Sequence, residues 1–138
     1  MKGLKQCINE KLIINKNYSD GKIIVKSWDE LRKIIEERYK EQGPGTEQKP
    51  IYFNDIDVSN INSFYNGSIG IFEGPRFKYI DISYWDVSKV EDMYSMFYNC
   101  EKLKSVGDLS NWDVSSVKDM NLMFFNSGIT NIPKWYKE

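Results

Sequence analysis

WDVSKVEDMYSMFYN (residues 85–99) and WDVSSVKDMNLMFFN (residues 112–126) are two copies of one pattern, 27 residues apart, and they decide the reading of the fold. The Trp, the Asp-Val-Ser, a Val, an Asp-Met, a Met-Phe and the closing Asn recur in place, which chance does not produce. A degenerate earlier copy, IDVSNINSF (residues 56–64), places Asp57-Val58-Ser59 ahead of Asp86-Val87-Ser88 by 29 residues. Between the copies, Leu103, Val106 and Leu109 stand three apart, and Ile129, Ile132 and Trp135 repeat that spacing after the last one. A period in this range marks a stacked array. One unit cannot bury its own apolar face, whereas neighbouring units share a continuous core.

Within each unit, Val90, Met93, Met96 and Phe97, like Val117, Met120, Met123 and Phe124, sit at i, i+3, i+6 and i+7. That spacing predicts a short helix with one apolar face, with the preceding Asp-Val-Ser supplying oxygens to its open N–H groups. The other half of the unit, as in LKSVGDLSNW, suits a brief strand with polar turns.

Upstream of the repeats, Ser27-Trp28-Asp29-Glu30 forms a capping box, and Trp28, Leu31, Ile35, Tyr39 and Gln42, with Ile34 beside them, trace one face. Asp29 with Lys33 and Glu36 with Lys40 are favourable pairs four apart, and Gly43-Pro44 supplies the stop. A helix over 28–42 is predicted, preceded by a strand at 22–26 and followed by a loop at 43–50 that leads into Ile51-Tyr52-Phe53. Its place in the array is to cover the first open end. In the first twenty residues, Leu4, Cys7, Ile8 and Leu12 follow helical spacing, and the polar run Asn15 to Asp20 predicts a turn.

The chain has 138 residues, 41% apolar and 28% charged, which suits one compact domain. It divides into an amphipathic segment (1–21), a strand-helix cap (22–53) and the repeats with a partial last unit (54–138). Histidine is absent, which removes the commonest general base and the commonest nitrogen metal ligand. Cys7 and Cys100 have no neighbouring ligand at metal or redox spacing and read as free thiols in a reducing compartment. No secretion signal, lipobox or apolar span is seen, so the expected address is the cytoplasm and no membrane is engaged. Residues 1–50 carry 11 basic and 8 acidic groups and the remainder 8 and 12, too mild a polarity for a nucleic-acid footprint.

DISYWDVSKVEDMYSMFYNC and DLSNWDVSSVKDMNLMFFNS resemble the repeats of BspA-like leucine-rich-repeat proteins, found in bacterial surface proteins, mycoplasma lipoproteins and phage or prophage proteins. The helix followed by EQGPGTEQKPIYFNDIDVSNI is similar to the cap that precedes such repeats, so the resemblance runs over about residues 22–138. It implies an α/β fold, a short right-handed leucine-rich-repeat-like solenoid of about three units with an N-terminal helical cap. It implies no catalytic residues, and no enzyme activity, cofactor or metal is expected.

The aspartates Asp55, Asp57, Asp81, Asp86, Asp92, Asp108, Asp113 and Asp119 match no calcium-loop spacing and read as turn and cap residues. Trp85 and Trp112 recur with the apolar period and read as core. The stretch YNGSIGIFEGPRFK (residues 65–78) breaks the pattern, and interruptions of a repeat map to loops that carry binding. Its Phe72, Arg76 and Phe77, with the following Tyr79, are the residue types that dominate interfaces and are candidate partner contacts. Trp135 and Tyr136 are a second candidate: near the end of the array they either fold back as a cap or leave an apolar end for a partner, a second copy included. The expected function is a non-enzymatic protein-binding module acting by surface occlusion. An alternative is a phage or mobile-element inhibitor of a bacterial defence protein, such as a CRISPR nuclease, touching nucleic acid only through a ribonucleoprotein partner.

Overall fold

A computed structural model of the chain describes residues 17–137. The expected helix through Leu4, Cys7, Ile8 and Leu12 lies outside the described residues, as does Cys7. The polar run that follows is not simply a turn. Strand β1 (Asn17–Ser19) pairs antiparallel with β2 (Lys22–Ile24) around Asp20 and Gly21, whose φ values of 52° and 75° are those a two-residue hairpin loop requires. β2 continues in parallel to β4 (Ile56–Asp57), and β3 (Ile51–Tyr52) pairs in parallel with β5 (Ile80–Asp81).

Helix α1 (Trp28–Gln42) has the predicted bounds and caps. The Ser27 hydroxyl accepts from the Glu30 N–H at 3.1 Å, and the Glu30 carboxylate accepts from the Lys26 N–H at 2.9 Å. Gly43, at φ 73°, closes the helix by donating to the Tyr39 carbonyl. Leu31, Ile34 and Ile35 are fully buried against the repeats. Glu36, expected to pair with Lys40, is instead held by Arg32 at 2.8 Å and by Arg76.

Three passes of the chain, residues 51–74, 79–100 and 105–126, lie one beneath the next. Ser63 bridges Asp92 in parallel, Asp92 bridges Asp119, and Tyr79 bridges Ser105. Along another side, the N–H groups of Met93, Ser95, Phe97 and Asn99 donate to the carbonyls of Asp119, Asn121, Met123 and Phe125, at 2.8–3.1 Å. Inside, Phe72, Phe97 and Phe124 stack in a column with centroids 5.8 and 5.4 Å apart. A tryptophan column runs beside it. The indole N–H of Trp85 donates to the Phe53 carbonyl, that of Trp112 to Ile82 and that of Trp135 to Leu109. Each fully buried aromatic is worth about 1.5–3 kcal/mol of transfer free energy, so these columns hold the passes together.

The helix predicted inside each repeat is not formed. Residues 94–99 and 121–126 are successive turns, with Ser95, Asn99, Leu122 and Asn126 in the left-handed region at φ 55–57°. The upper segment spends every second N–H group on the pass below and those of Met96, Tyr98 and Cys100 on carbonyls three residues back, rather than on carbonyls four residues back. Overlapping turns, each closed by a bond from residue i+3 to residue i, bring every third or fourth side chain inward, and so mimic helical spacing.

The aspartates cap turns rather than helices. Asp86 Oδ1 accepts from the N–H and hydroxyl of Ser88, and Asp113 Oδ1 accepts in the same way from Ser115. Asp57, Asp81, Asp92, Asp108 and Asp119 each accept from the N–H two residues on.

Candidate interaction surface

Residues 65–78 do not form the projecting loop the sequence suggests. The excursion is confined to residues 66–69, closed by a Tyr65–Gly70 bridge and by the Asn66 side chain accepting from Ser68 and Ile69. From Ile71 the pass resumes, with Phe72 donating to Met96 and Gly74 to Tyr98. Gly70 is required there, because a Cβ would lie 1.9 Å from the Ser95 carbonyl oxygen.

Phe72 and Phe77 are therefore core residues, 1% and 3% exposed, and not partner anchors. Phe77 meets Tyr39, Phe53 and Phe72 edge-on at 5.3–6.0 Å. Arg76 is half-buried, paired with Glu36 and lying over the Tyr39 and Phe77 rings at 5.5 and 5.8 Å. It ties α1 to the repeats. Burial raises the Glu36 pKa, but hydrogen bonds and charge from Arg76, and then from Arg32, outweigh it and hold the carboxyl below its usual range. Tyr79 is half-buried, its backbone locked between Pro44 and Ile51 above a Gly45 that has no room for a side chain.

Of the two readings for the last residues, the fold-back is the one found. Trp135 stacks on Trp112 at 6.1 Å and Tyr136 meets Phe124 edge-on at 4.9 Å. The six candidate contacts thus split into core (Phe72, Phe77), inter-element ties (Arg76, Tyr79) and a partial cover of the lower end (Trp135, Tyr136).

That cover is incomplete, and the surface it leaves was not singled out from the sequence. Val90 and Met93 have no exposure and Ser95 very little, whereas their counterparts Val117, Met120 and Leu122 are half-exposed. Phe125 is 51% exposed and stacks on Tyr98 at 5.4 Å. Ile132 is exposed at the rim of a cleft of about 470 Å³ between residues 107–110 and 131–135. At two positions the lowest pass carries the more apolar side chain, Leu122 in place of Ser95 and Phe125 in place of Tyr98, while Asn121 stands where the pass above has Tyr94. That substitution pattern was the available signal. Two further exposed aromatics, Tyr52 and Tyr84, stand elsewhere on β3 and after β5.

Among the described residues, no group of three or more Asp, Glu and Cys is placed to hold a metal ion, and no helix is long and apolar enough to cross a membrane. Cys100 is a free, buried thiol that donates to the Phe72 carbonyl at 3.0 Å. A family model described as Mycoplasma protein of unknown function, DUF285, matches residues 46–136. No curated protein and no solved structure matches the chain.

Proposed function

The chain belongs to the DUF285 family, Mycoplasma proteins of unknown function, and we propose that it is a non-enzymatic protein-binding module, a short right-handed solenoid of the BspA-like leucine-rich-repeat type. The parallel stacking of three passes supports the solenoid, and α1 covering the first pass supports the N-terminal cap. The binding reading is carried by one observation: the lowest pass leaves Val117, Met120 and Leu122 half-exposed and Phe125 exposed, where the pass above buries Val90 and Met93. A partner seated there has its own surface occluded without any chemistry on the module's side.

The test replaces exposed residues only. The tagged chain, a Phe125→Ser/Ile132→Ser variant and a Tyr84→Ser control are used to capture proteins from host lysate. Capture that survives Tyr84→Ser and is lost in the double variant supports the reading, and a captured nuclease or ribonucleoprotein makes the module an inhibitor of that machine. Capture indifferent to the double variant moves the site away from the lower end, and specific capture of nothing removes the reading.

A further inference from the structure

The lower edge has a hydrogen-bond polarity that apolar exposure alone does not describe. In the middle pass, Met93, Ser95, Phe97 and Asn99 each donate an N–H to a carbonyl of the pass below. Their counterparts 27 residues on are Met120, Leu122, Phe124 and Asn126, and among the described residues no acceptor takes these four N–H groups. The carbonyls beside them are turned inward: Met120 accepts from Met123, Leu122 from Phe125 and Phe124 from Ser127. The edge is thus a row of donors at every second residue, with the matching acceptors already used. The opposite end of the stack is finished differently. There α1 supplies side-chain donors, Trp28 to the Phe64 carbonyl, Arg32 to Ile71 and Arg38 to Tyr52.

We infer that this edge is a backbone-addition site that takes a segment of a partner protein folded in the same succession of turns as residues 119–126, in parallel register, with backbone carbonyls meeting Met120, Leu122, Phe124 and Asn126. The inference rests on the protein-binding reading and names its mode of recognition. Two arguments select the occupant. The row of N–H dipoles is complementary to acceptors alone, so a second copy brought edge to edge would set donor against donor. The edge also continues an interface the molecule already builds, because residues 119–125 supply this set of carbonyls to the pass above. Main-chain bonds would give affinity, and the half-exposed Val117, Met120 and Leu122 would select apolar side chains at alternate positions.

The probe is a synthetic peptide with the sequence of residues 112–127, whose carbonyls fill these positions within the chain, and a scrambled peptide is the control. Amide hydrogen exchange of the intact chain is followed residue by residue. In the free protein the amides of Met93, Ser95, Phe97 and Asn99 exchange slowly and those of Met120, Leu122, Phe124 and Asn126 fast. Saturating peptide slows the second set by about tenfold or more, and the scrambled peptide does not. Unchanged exchange of these four amides with peptide present overturns the inference, as does protection that rises with protein concentration alone, which would assign the edge to a second copy. If the lysate partner is lost in the Phe125→Ser/Ile132→Ser variant while the four amides stay unprotected in that partner's complex with the unmodified chain, the backbone-addition mode fails and the module reading stands.

Discussion

Leu122 occupies a left-handed backbone conformation at φ 57°, the position that Ser95 holds at φ 56° in the pass above. A branched apolar residue pays roughly 1–2 kcal/mol there, while asparagine is tolerated because its short polar side chain bonds locally. Asn99 and Asn126, at φ 57° and 55°, show the chain using that solution at the next such position. Leu122→Asn is therefore expected to raise unfolding stability by about 0.5–1 kcal/mol, read from the urea midpoint at constant slope, and a lower midpoint would refute the strain. Cys100 makes the second prediction at this scale. Burial pushes its thiol up to about 12, outweighing the Gly74 N–H that favours the thiolate. In a Cys7→Ser background, the native protein at pH 8 should react with a thiol reagent only at the rate of unfolding, and prompt reaction would show the site is open. That Cys100 is a free thiol was legible in the sequence from the lack of partners at ligand spacing; its burial was not. The burial of Phe72 and Phe77 was not, because Phe64 to Phe72 spans eight residues where Met93 to Phe97 spans four, and that shift hid the column the rings belong to.

Among the elements, α1 was readable to the residue, since its cap, its apolar face and its terminating glycine are all local signals that the packing agrees with. The repeat's own secondary structure was not readable. Its apolar spacing fits a helix and a chain of turns equally, and only hydrogen bonds to the neighbouring pass separate the two. The turns are instead recorded in their Asp-x-Ser corners, and those corners give a pH dependence. Partial burial raises the Asp81 pKa, but the Ser83 hydroxyl and N–H and the Asn54 amide outweigh it and hold the carboxyl below its ordinary range. Asp86, Asp108 and Asp113 are held low by the hydroxyl and N–H groups of Ser88, Ser110 and Ser115. A carboxyl whose folded pKa lies below its unfolded value takes up its proton on unfolding. Its contribution is complete above the unfolded value, about 4, and is lost as pH falls through the folded one. Stability should thus be flat from about pH 7 to 5 on account of these groups and decline below about 4. Asp81→Asn, which keeps an acceptor for Ser83, should make that decline shallower; an unchanged acid limb would show that Asp81 is not among its sources.

For the molecule as a whole, what matters is that the two ends of the stack are unlike. The upper end is closed by α1, with the bidentate Arg38–Asp55 pair at 2.6 and 2.7 Å and the Arg76–Glu36 pair fixing the helix to the first pass. The lower end is closed only in part, by Trp135 and Tyr136. In a stacked array each pass is stabilised chiefly by its neighbours, so a pass with one neighbour opens before a pass with two. The phenylalanine column provides matched probes of that order, because Phe72, Phe97 and Phe124 make the same stack in successive passes. Truncating a buried phenylalanine costs about 3–5 kcal/mol wherever its cavity cannot collapse. Phe72→Ala removes a ring that also contacts Phe53, Phe77 and Trp85, which joins the first pass to the others, so the loss should fall on the whole molecule. The expected result is one cooperative transition at lower urea with the slope kept. Phe124→Ala instead loosens a pass that, among the described residues, is covered only in part along residues 117–125. That variant should lose exchange protection at Ser95, Phe97 and Asn99, whose acceptors lie on the loosened pass, while Leu31, Ile35 and Phe53 keep theirs. Its urea transition should broaden, with an apparent slope below that of the unmodified chain, because the last pass melts ahead of the rest. Equal, fully cooperative destabilisation by both substitutions would mean that the three passes and α1 unfold only together, and that the open end is as firmly held as the capped one.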